Sequence, residues 1–360
     1  MSIKKLIVLT TALTSLSLAA ASAEEVTLMS WGGAYATSQI EGYNKPYTAE
    51  SGVTVNMVDA DNPATPVKAM VEAKNVTVDV ADVEYADAVR MCDEGLLEEM
   101  DHAALPAAPD GTAASDDFLP GALTDCGVAN IVFSTVFAFD TTKFPTAPTS
   151  IADFFDAEKF PGKRGMRKGA KANLEMALMA DGVPAADVYA MLATPEGVDR
   201  AFAKLDTIKA NTIWWEAGAQ PPQLLADGEV SMTTAYNGRI FAAAVNEGKP
   251  FSVVWDGQVY EYDMFVIPKG TPNLEAAKKY VAYATSTKPL AEQAKWISYG
   301  PARKSSGEFV GLFNDGKTEM APHMPTAAAN LTNALASSYE FWVDHDSELN
   351  ERFNSWLAAN

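Results

Sequence analysis

Apolar and polar positions in the first hundred residues change period repeatedly. EVTLMSW (25–31), VTVNMV (53–58) and VTVDVADV (76–83) are rich in alternating or β-branched apolar residues and predict strands. Helical spacing predicts helices over 36–51, 63–73 and 86–95. Strand and helix thus alternate three times, which is typical of a parallel, doubly wound sheet.

The remainder of the chain continues the α/β pattern. The run IVFSTVFAF (131–139) predicts a buried strand, whereas the Pro-, Ala-, Gly- and Asp-rich stretch 104–120 predicts a loop. Further strands are predicted at 230–235, 251–255 and 262–267, and helices at 151–160, 171–181, 184–191, 195–211, 238–248, 273–286 and 289–297, with a short helix ending in 224–229 and a mostly helical tail over 326–360. We therefore expect an α/β fold in which a middle unit interrupts the first one, with two β crossings near 131–137 and 254–263.

The first 23 residues have the pattern of a secretory signal peptide. Lys4 and Lys5 precede an apolar stretch over 6–20, and Ala21-Ser22-Ala23 forms an A-x-A cleavage site. The stretch is short and contains Ser and Thr, unlike a spanning helix of about 20 apolar residues. We expect the segment to be removed and the mature protein to be periplasmic; a buried N-terminal helix is the alternative.

Composition narrows the class of protein. Length (360 residues) and 48% hydrophobic content favour about two globular domains. A net charge of −20 argues against nucleic-acid or anionic-membrane partners, although acidity also serves solubility. Export favours a disulfide between the two cysteines, Cys92 and Cys126, which would stabilise the fold by about 3–4 kcal/mol.

Motifs of catalysis are absent from the sequence. It contains no G-x-S-x-G, G-x-G-x-x-G or H-E-x-x-H motif, and its three histidines lie far apart. GLFNDGKT (311–318) matches a phosphate loop by letter, but little room for a strand precedes it, so a surface turn is favoured. We expect no catalytic residue, metal or cofactor. An exported binder is favoured, with an exported hydrolase or lyase as the alternative.

Several motifs occur together in the order and spacing of one family. They are WGGAY (31–35), GVTV (52–55), Asp79 in VDVADVEY, GLL (95–97), FPGKRGM (160–166), LADGEV (225–230), AYNGR (235–239), VVWDGQVYEYDMFVIPKGTPN (253–273) and SYGPA (298–302). With them, the chain resembles the spermidine/putrescine-binding family of periplasmic solute-binding proteins of ABC importers, over about 25–305. The resemblance implies a type II periplasmic-binding fold, which has two lobes of mixed sheet flanked by helices and a ligand cleft at the hinge. It also implies a monomer that delivers a small solute to an inner-membrane permease.

On this resemblance we expect four segments. Residues 1–23 are the signal peptide. One lobe comprises 24–132 and about 260–310, and the other about 133–259. Helices from about 311 to 360 pack across both lobes.

The resemblance also implies ligand-binding residues. Trp31 follows the first strand, where an aromatic ring can cover a methylene chain or an ammonium group, and Tyr35 lines the same pocket. Asp263 pairs with a ligand amine. Tyr236 stands where the family usually has Trp, and Tyr299 matches a Tyr near the hinge. A core Trp31 and a turn-capping Asp263 are the structural alternatives.

Departures from the family pattern bear on the ligand. Two acids of polyamine binders are replaced by Lys168-Gly169-Ala170-Lys171-Ala172, and Arg239 follows the YNG turn, where its guanidinium can fork a carboxylate unless it is a surface residue. With Arg239 or Lys168 as the partner of a carboxylate, this favours a zwitterion, an ω-amino acid such as 4-aminobutyrate, over putrescine or spermidine. A different small organic carboxylate or amino acid is the alternative. Glu84 and Glu261 would instead restore a diamine site if both faced the cleft.

Two further positions complete the expected site. Tyr85 lies in the Glu84-Tyr85-Ala86 stretch, which stands where the family has Ser-x-Tyr. Trp215 belongs to a loop with adjacent tryptophans, of which at least one faces the cleft unless one is in the core and the other on the surface. Ferric-ion capture is not favoured, because no Tyr-Tyr pair occurs.

Overall fold

The computed structural model describes residues 24–359, so the predicted signal peptide lies outside the described residues. Eleven strands of this part of the chain belong to one sheet. They are β1 (Glu25–Ser30), β2 (Thr54–Asp59), β3 (Val80–Glu84), β4 (Leu123–Thr124), β5 (Gly127–Asp140), β6 (Arg164–Arg167), β7 (Thr212–Trp215), β8 (Met232–Tyr236), β9 (Phe251–Val266), β10 (Gly300–Pro301) and β11 (Ala334–Ala336).

The sheet contains two parallel groups joined by two long antiparallel strands. Its order is β2-β1-β3-β9-β5-β8-β6-β7, with the short strands β4 and β10 paired to β5 and β11 paired to β9. β1 is parallel to β2 and β3, and β6 is parallel to β7 and β8. The predicted α/β fold class and the parallel N-terminal sheet are therefore confirmed.

Helices flank the sheet. They are α1 (Gly33–Gln39), α2 (Lys45–Ser51), α3 (Ala64–Glu72), α4 (Tyr85–Asp93), α5 (Ala114–Asp117), α6 (Ile151–Phe155), α7 (Asn173–Ala180), α8 (Val188–Leu192), α9 (Pro195–Lys209), α10 (Gln220–Ala226), α11 (Asn237–Val245), α12 (Leu274–Ala284), α13 (Thr287–Ala294), α14 (Gly307–Val310) and α15 (Tyr339–Ala358), with a π-helical turn at Ile40–Asn44 and 3₁₀ turns at His102–Ala104, Ala185–Asp187, Ala321–His323 and Ala328–Leu331. Among the described residues, none of these helices is long and apolar enough to cross a membrane.

Two large hydrophobic cores lie at opposite ends of the two long strands, β5 and β9. The first is formed around β1, β3 and α12, and the second around α7, α9 and α15. β5 and β9 contribute to both: Val128 and Met264 are in the first core, and Phe137 and Val254 in the second. The chain therefore crosses between two units through these strands, near the positions that the sequence predicts.

Several predicted elements are wrong in extent or type. The strands predicted at 251–255 and 262–267 are one strand, β9, because Gly257 adopts a φ of +76° and lets the strand continue past a close contact with Ile151. The loop predicted at the adjacent tryptophans is the edge strand β7, since its residues are β-branched and aromatic. The helix predicted over 151–160 ends at Phe155, where Asp156 accepts the backbone N–H groups of residues 158 and 159.

The two cysteines are bonded to each other. Cys92 lies in α4 and Cys126 directly precedes β5, and their Cα atoms are 5.7 Å apart. The bond closes a separation of 34 residues within the unit that holds the first core. The predicted disulfide is confirmed.

Candidate functional site

A cavity of about 420 Å³ lies where the two units meet. Part of its wall comes from strand ends and the segments that follow them, which is where open α/β sheets place ligand sites. Trp31 directly follows β1, Glu84 ends β3 and Tyr236 ends β8. The lining residues are Trp31, Tyr35, Asp61, Glu84, Phe133, Glu216, Gly218, Tyr236, Arg239, Asp263 and Tyr299.

Aromatic rings form much of the cavity wall. Tyr35 and Tyr299 meet edge to face, with ring centroids 5.4 Å apart, and Phe133 meets Tyr236 in the same way at 5.4 Å. Such contacts hold the rings in fixed orientations. The cavity therefore offers a rigid apolar surface suited to a methylene chain.

Asp263 is a buried carboxylate without a partner. The residue is 5% exposed, its Oδ1 accepts no hydrogen bond, and no basic group of the described residues lies within salt-bridge distance. Burial, followed by the charges of Asp82, Glu84 and Glu261, raises its pKa well above the usual value. A buried charge of this kind is stable only with a cation beside it or a proton on it.

A second buried acid, Asp82, lies behind the wall. Its Oδ2 accepts hydrogen bonds from Tyr35 Oη at 2.7 Å and Gln39 Nε2 at 2.6 Å, and also from Ser30 and Asn130. Burial raises the pKa of Asp82 to about 7, although these donors oppose the shift. Because its hydroxyl is directed to Asp82, Tyr35 presents its ring to the cavity.

Arg239 supplies a positive charge to the cavity. Its Nη1 donates to the carbonyl oxygen of Gly32 at 2.8 Å and its Nη2 to that of Trp31 at 3.0 Å. Gly32 and Gly33 have φ values of +65° and +58°, and a Cβ at Gly33 would lie 2.6 Å from Nη1, so the double glycine makes this contact possible. Nε of Arg239 has no partner, and no acid of the described chain forms a salt bridge with the guanidinium.

Glu84 borders the cavity but is neutralised by two bases. Its Oε1 lies 2.8 Å from Arg167 Nη1, and its Oε2 lies 3.0 Å from Lys171 Nζ. The same Nζ lies 2.6 Å from Oε2 of Glu261. Burial would raise the pKa of Glu84, but Lys171 and Arg167 outweigh it and hold that pKa at about 2. This cluster of two acids and two bases carries no net charge when all four groups are ionised.

Seven of the residues expected from the sequence line the cavity. They are Trp31, Tyr35, Glu84, Tyr236, Arg239, Asp263 and Tyr299. The indole Nε1 of Trp31 is buried without a hydrogen-bond partner. The aromatic walls of the cavity thus enclose an unpaired acceptor, Oδ1 of Asp263, an unpaired donor, Nε1 of Trp31, and the guanidinium of Arg239.

Three expected residues lie outside the cavity wall. Tyr85 begins α4 and stacks on Tyr339, with ring centroids 4.4 Å apart. Trp215 lies behind the wall, where it contacts Tyr236 edge to face at 5.7 Å. Glu261 does not line the cavity, and its Oε2 lies 2.6 Å from Nζ of Lys171. Lys168, which we considered as a carboxylate partner, instead pairs with Glu216 at 2.7 Å.

Sequence reasoning missed several positions. Phe133 lies within an apolar strand, where nothing in the sequence separates wall residues from core residues, and Asp61 follows β2 in a polar loop. Glu216 and Gly218 also line the cavity, and the only indication of this in the sequence is that they closely follow Trp215. Arg167 directly follows the FPGKRGM motif (160–166). Its pairing with Glu84, 83 positions earlier in the chain, is visible only in the fold.

The chemistry of the cavity is that of binding. In residues 24–359, no group of three His, Cys, Asp or Glu side chains is placed to hold a metal ion. The walls combine a buried acid, a guanidinium and aromatic rings, which together suit a small solute with charged ends and an apolar middle. Two units joined by two long strands, with such a cavity between them, define a solute-binding protein of the periplasmic type.

The chain belongs to the bacterial extracellular solute-binding protein family, whose model matches residues 42–326. It is 47% identical over 340 residues to the gamma-aminobutyric acid-binding protein of Pseudomonas aeruginosa, a match that covers 94% of this chain and 93% of that protein. Members of the family are solute-binding proteins and not enzymes, as the sequence predicts.

Solved structures share the fold over nearly the whole chain. The Atu4243-GABA receptor is 33% identical, with a TM-score of 0.79 and coverage of 94% of this chain and 98% of that one. The periplasmic binding protein AgtB of A. tumefaciens R10, solved with agropinic acid, is 28% identical, with a TM-score of 0.82 and coverage of 93% and 99%. The expected two-lobed periplasmic-binding fold is confirmed.

Proposed function

We propose that this protein is a periplasmic receptor for an ω-amino acid such as 4-aminobutyrate. Asp263 binds the ligand ammonium, and Arg239 and the indole N–H of Trp31 bind the carboxylate. The methylene chain lies between Tyr35, Tyr236 and the neighbouring rings. Glu84, Tyr85, Trp215 and Glu261 support the walls without a direct bond to this ligand.

The observation that carries the proposal is the pair of unmatched charges in one cavity. Asp263 has no cation and Arg239 no carboxylate among the described residues, and both side chains are buried. Buried charges in proteins are normally paired, since an unpaired one costs several kcal/mol. An ω-amino acid supplies both missing partners at once.

A polyamine matches this charge pattern less well. A diamine needs an acid at each end, but Glu84 and Glu261 are already bonded to Arg167 and Lys171. Its second ammonium would also face the guanidinium of Arg239. Putrescine and spermidine are therefore the second candidates, and the relatives named for gamma-aminobutyric acid, which is 4-aminobutyrate, support the first.

We further propose how the receptor works. After removal of 1–23, the lobe of 24–132 and about 260–310 and the lobe of about 133–259 close on the solute, with about 311–360 packed across them. The two separate cores and the two shared strands support this division. The closed monomer then delivers the solute to an ABC permease in the inner membrane.

Titration calorimetry on the chain without residues 1–23 tests the ligand. We expect 4-aminobutyrate to bind more tightly than butylamine or butyrate, each of which lacks one charged end, and more tightly than putrescine. Asp263→Asn should weaken 4-aminobutyrate by roughly 30-fold or more, because losing one partner of a buried charge pair costs about 2–5 kcal/mol. Butylamine or putrescine binding as tightly as 4-aminobutyrate would contradict the proposal.

A further inference from the structure

We propose that Lys171 is a specificity-determining residue whose ammonium fills a site that would otherwise accept the second ammonium of a short diamine. The inference rests on the proposed function, since it explains why a mono-ammonium ligand is selected. It assigns to a side chain outside the ligand cavity the exclusion of a whole class of ligands.

Four carboxylates share one face of the sheet. Glu84 on β3 is paired directly with Asp263 on β9, while Asp82 and Glu261 each lie two residues along their strands. Side chains two residues apart in a strand point to the same face, about 6.8 Å apart along it. The face therefore has a binding position for an ammonium at Asp263 and a second one, a short diamine length away, between Glu84 and Glu261.

Lys171 occupies the second position. Its Nζ lies 3.0 Å from Glu84 and 2.6 Å from Glu261, and its side chain is only 11% exposed. Among the described residues it is the only base in salt-bridge contact with Glu261, whereas Glu84 also has Arg167. The lysine thus acts as a tethered ammonium that leaves neither Glu84 nor Glu261 free for a second ligand amine.

The segment that carries Lys171 is held in a specific conformation. Ala172, the next residue, has a φ of +65°, which is costly for a residue with a Cβ. Asn173 Nδ2 donates to the carbonyl oxygens of Arg167 and Gly169, and Asn350 of α15 accepts the N–H of Ala170. A strained residue supported by three side-chain bonds indicates that the position of the lysine is determined by the fold.

Space beside the lysine would admit a longer ligand. A second cavity of about 1010 Å³ is lined by Lys171, Arg167 and Glu84, and Glu84 borders the ligand cavity as well. Shortening Lys171 would therefore open a path from Asp263 to the space between the two glutamates. Burial raises the pKa of Glu261 to about 8, so this acid would take up a proton or a cation once the lysine is gone.

The experiment compares ligand binding by the wild type, Lys171→Met and the control Lys163→Met. Calorimetry is run with 4-aminobutyrate, 1,3-diaminopropane, putrescine and cadaverine. We expect at least one diamine to bind Lys171→Met ten-fold or more tightly than it binds the wild type. Lys163→Met should change no diamine affinity, because the Lys163 side chain is exposed, forms no salt bridge with a described residue and does not line either cavity. The double variant Lys171→Met/Glu261→Gln should lose the gain.

The possible outcomes separate this inference from the proposed function. Failure of the wild type to bind any ω-amino acid would contradict the proposed function itself. A wild type that binds 4-aminobutyrate, together with a folded Lys171→Met that gains no diamine affinity, would overturn only the role of Lys171. If Lys171→Met is unfolded, diamines should restore folding of that variant or of Lys171→Gln, as seen by circular dichroism. Absence of this rescue also overturns it.

Discussion

The guanidinium of Arg239 donates to the carbonyl oxygen of Gly32 across the candidate ligand cavity, with 2.8 Å between Nη1 and O. One residue comes from the helix after β8 and the other from the loop after β1. Because Arg239 also lines the cavity, the group that we assign to the ligand carboxylate is the same group that ties the two walls together. Ligand binding and closure of the cavity therefore depend on one side chain.

Comparing two ligands in the wild type and one variant separates the role of Arg239 in binding the ligand carboxylate from its role in joining the cavity walls. In Arg239→Gln, a donor remains but the charge is lost. We expect the preference for 4-aminobutyrate over butylamine to fall about ten-fold or more, since only the first ligand has a carboxylate to lose a charged partner. Because butylamine has no carboxylate, the change in its affinity reports only the loss of the contact between Arg239 and the carbonyl oxygen of Gly32. An unchanged preference, measured by calorimetry, would show that the carboxylate binds elsewhere.

Asp82 predicts a pH dependence of stability without ligand. Its pKa is raised to about 7 by burial, so the folded state holds its proton more tightly than the unfolded state. The stability contributed by the protonated group is fully present below about pH 4 and is lost as the pH rises through about 7.

Urea unfolding from pH 5 to 8 checks this sign. The free energy of unfolding of the wild type should fall with pH by at most about 1.4 kcal/mol per unit from this one group. Asp82→Asn should show a shallower fall. Burial also raises the pKa values of Asp87, Glu175 and Glu261 to about 6, about 7 and about 8, and that of Asp263 well above its usual value, so these groups contribute in the same direction in both proteins. A steeper slope in the variant would contradict the assignment.

Gly238 controls the position of the Tyr299 ring. A Cβ at this residue would lie 2.6 Å from Cε1 of Tyr299 and 2.6 Å from Cγ1 of Ile297. Gly238→Ala should displace the ring toward the cavity, weaken 4-aminobutyrate about ten-fold and cost about 1–3 kcal/mol of stability. The matched control is Gly307→Ala, because that glycine has open space around it and no positive φ. Equal effects in both variants would exclude this role.

Removal of the disulfide tests the stability of one unit. Replacing both Cys92 and Cys126 by Ser opens a loop whose ends are 34 residues apart. On the chain-entropy estimate the protein should lose about 3–4 kcal/mol. Since the bond lies away from the cavity, 4-aminobutyrate affinity should stay within two-fold. Thermal unfolding and calorimetry on the same sample measure the two effects, and a large loss of affinity alone would be inconsistent with the structure.

Local pattern was sufficient for most of the fold. The alternation in EVTLMSW gave β1, and the apolar run at 131–139 lies inside β5. Local pattern failed at β9. A glycine such as Gly257 favours a strand break in the local sequence, but in the structure the strand continues past it. Which backbone breaks are tolerated depends on partners such as β5, which local sequence does not contain.

The site was predictable where motif and strand end coincide. Trp31 was found in this way, whereas Asp263 lies inside β9 and was expected from the family resemblance alone; both line the cavity. Tyr85 was expected beside Glu84, but the strand ends between them and the helix turns the ring toward Tyr339. Arg167 was missed because its significance comes from a partner distant in sequence.

β5 and β9 stay hydrogen-bonded to each other from one hydrophobic core to the other, from Gly127 opposite Val266 to Asp140 opposite Phe251. The two units are therefore connected by a two-stranded antiparallel ribbon and not by a flexible linker. A single proteolytic cut in either strand would leave the units attached through the other strand. The register shifts at 129–131 and 135–137 are the points where this ribbon has the least backbone pairing. Bending should concentrate there, so the swing of one half against the other is confined to a narrow range of directions.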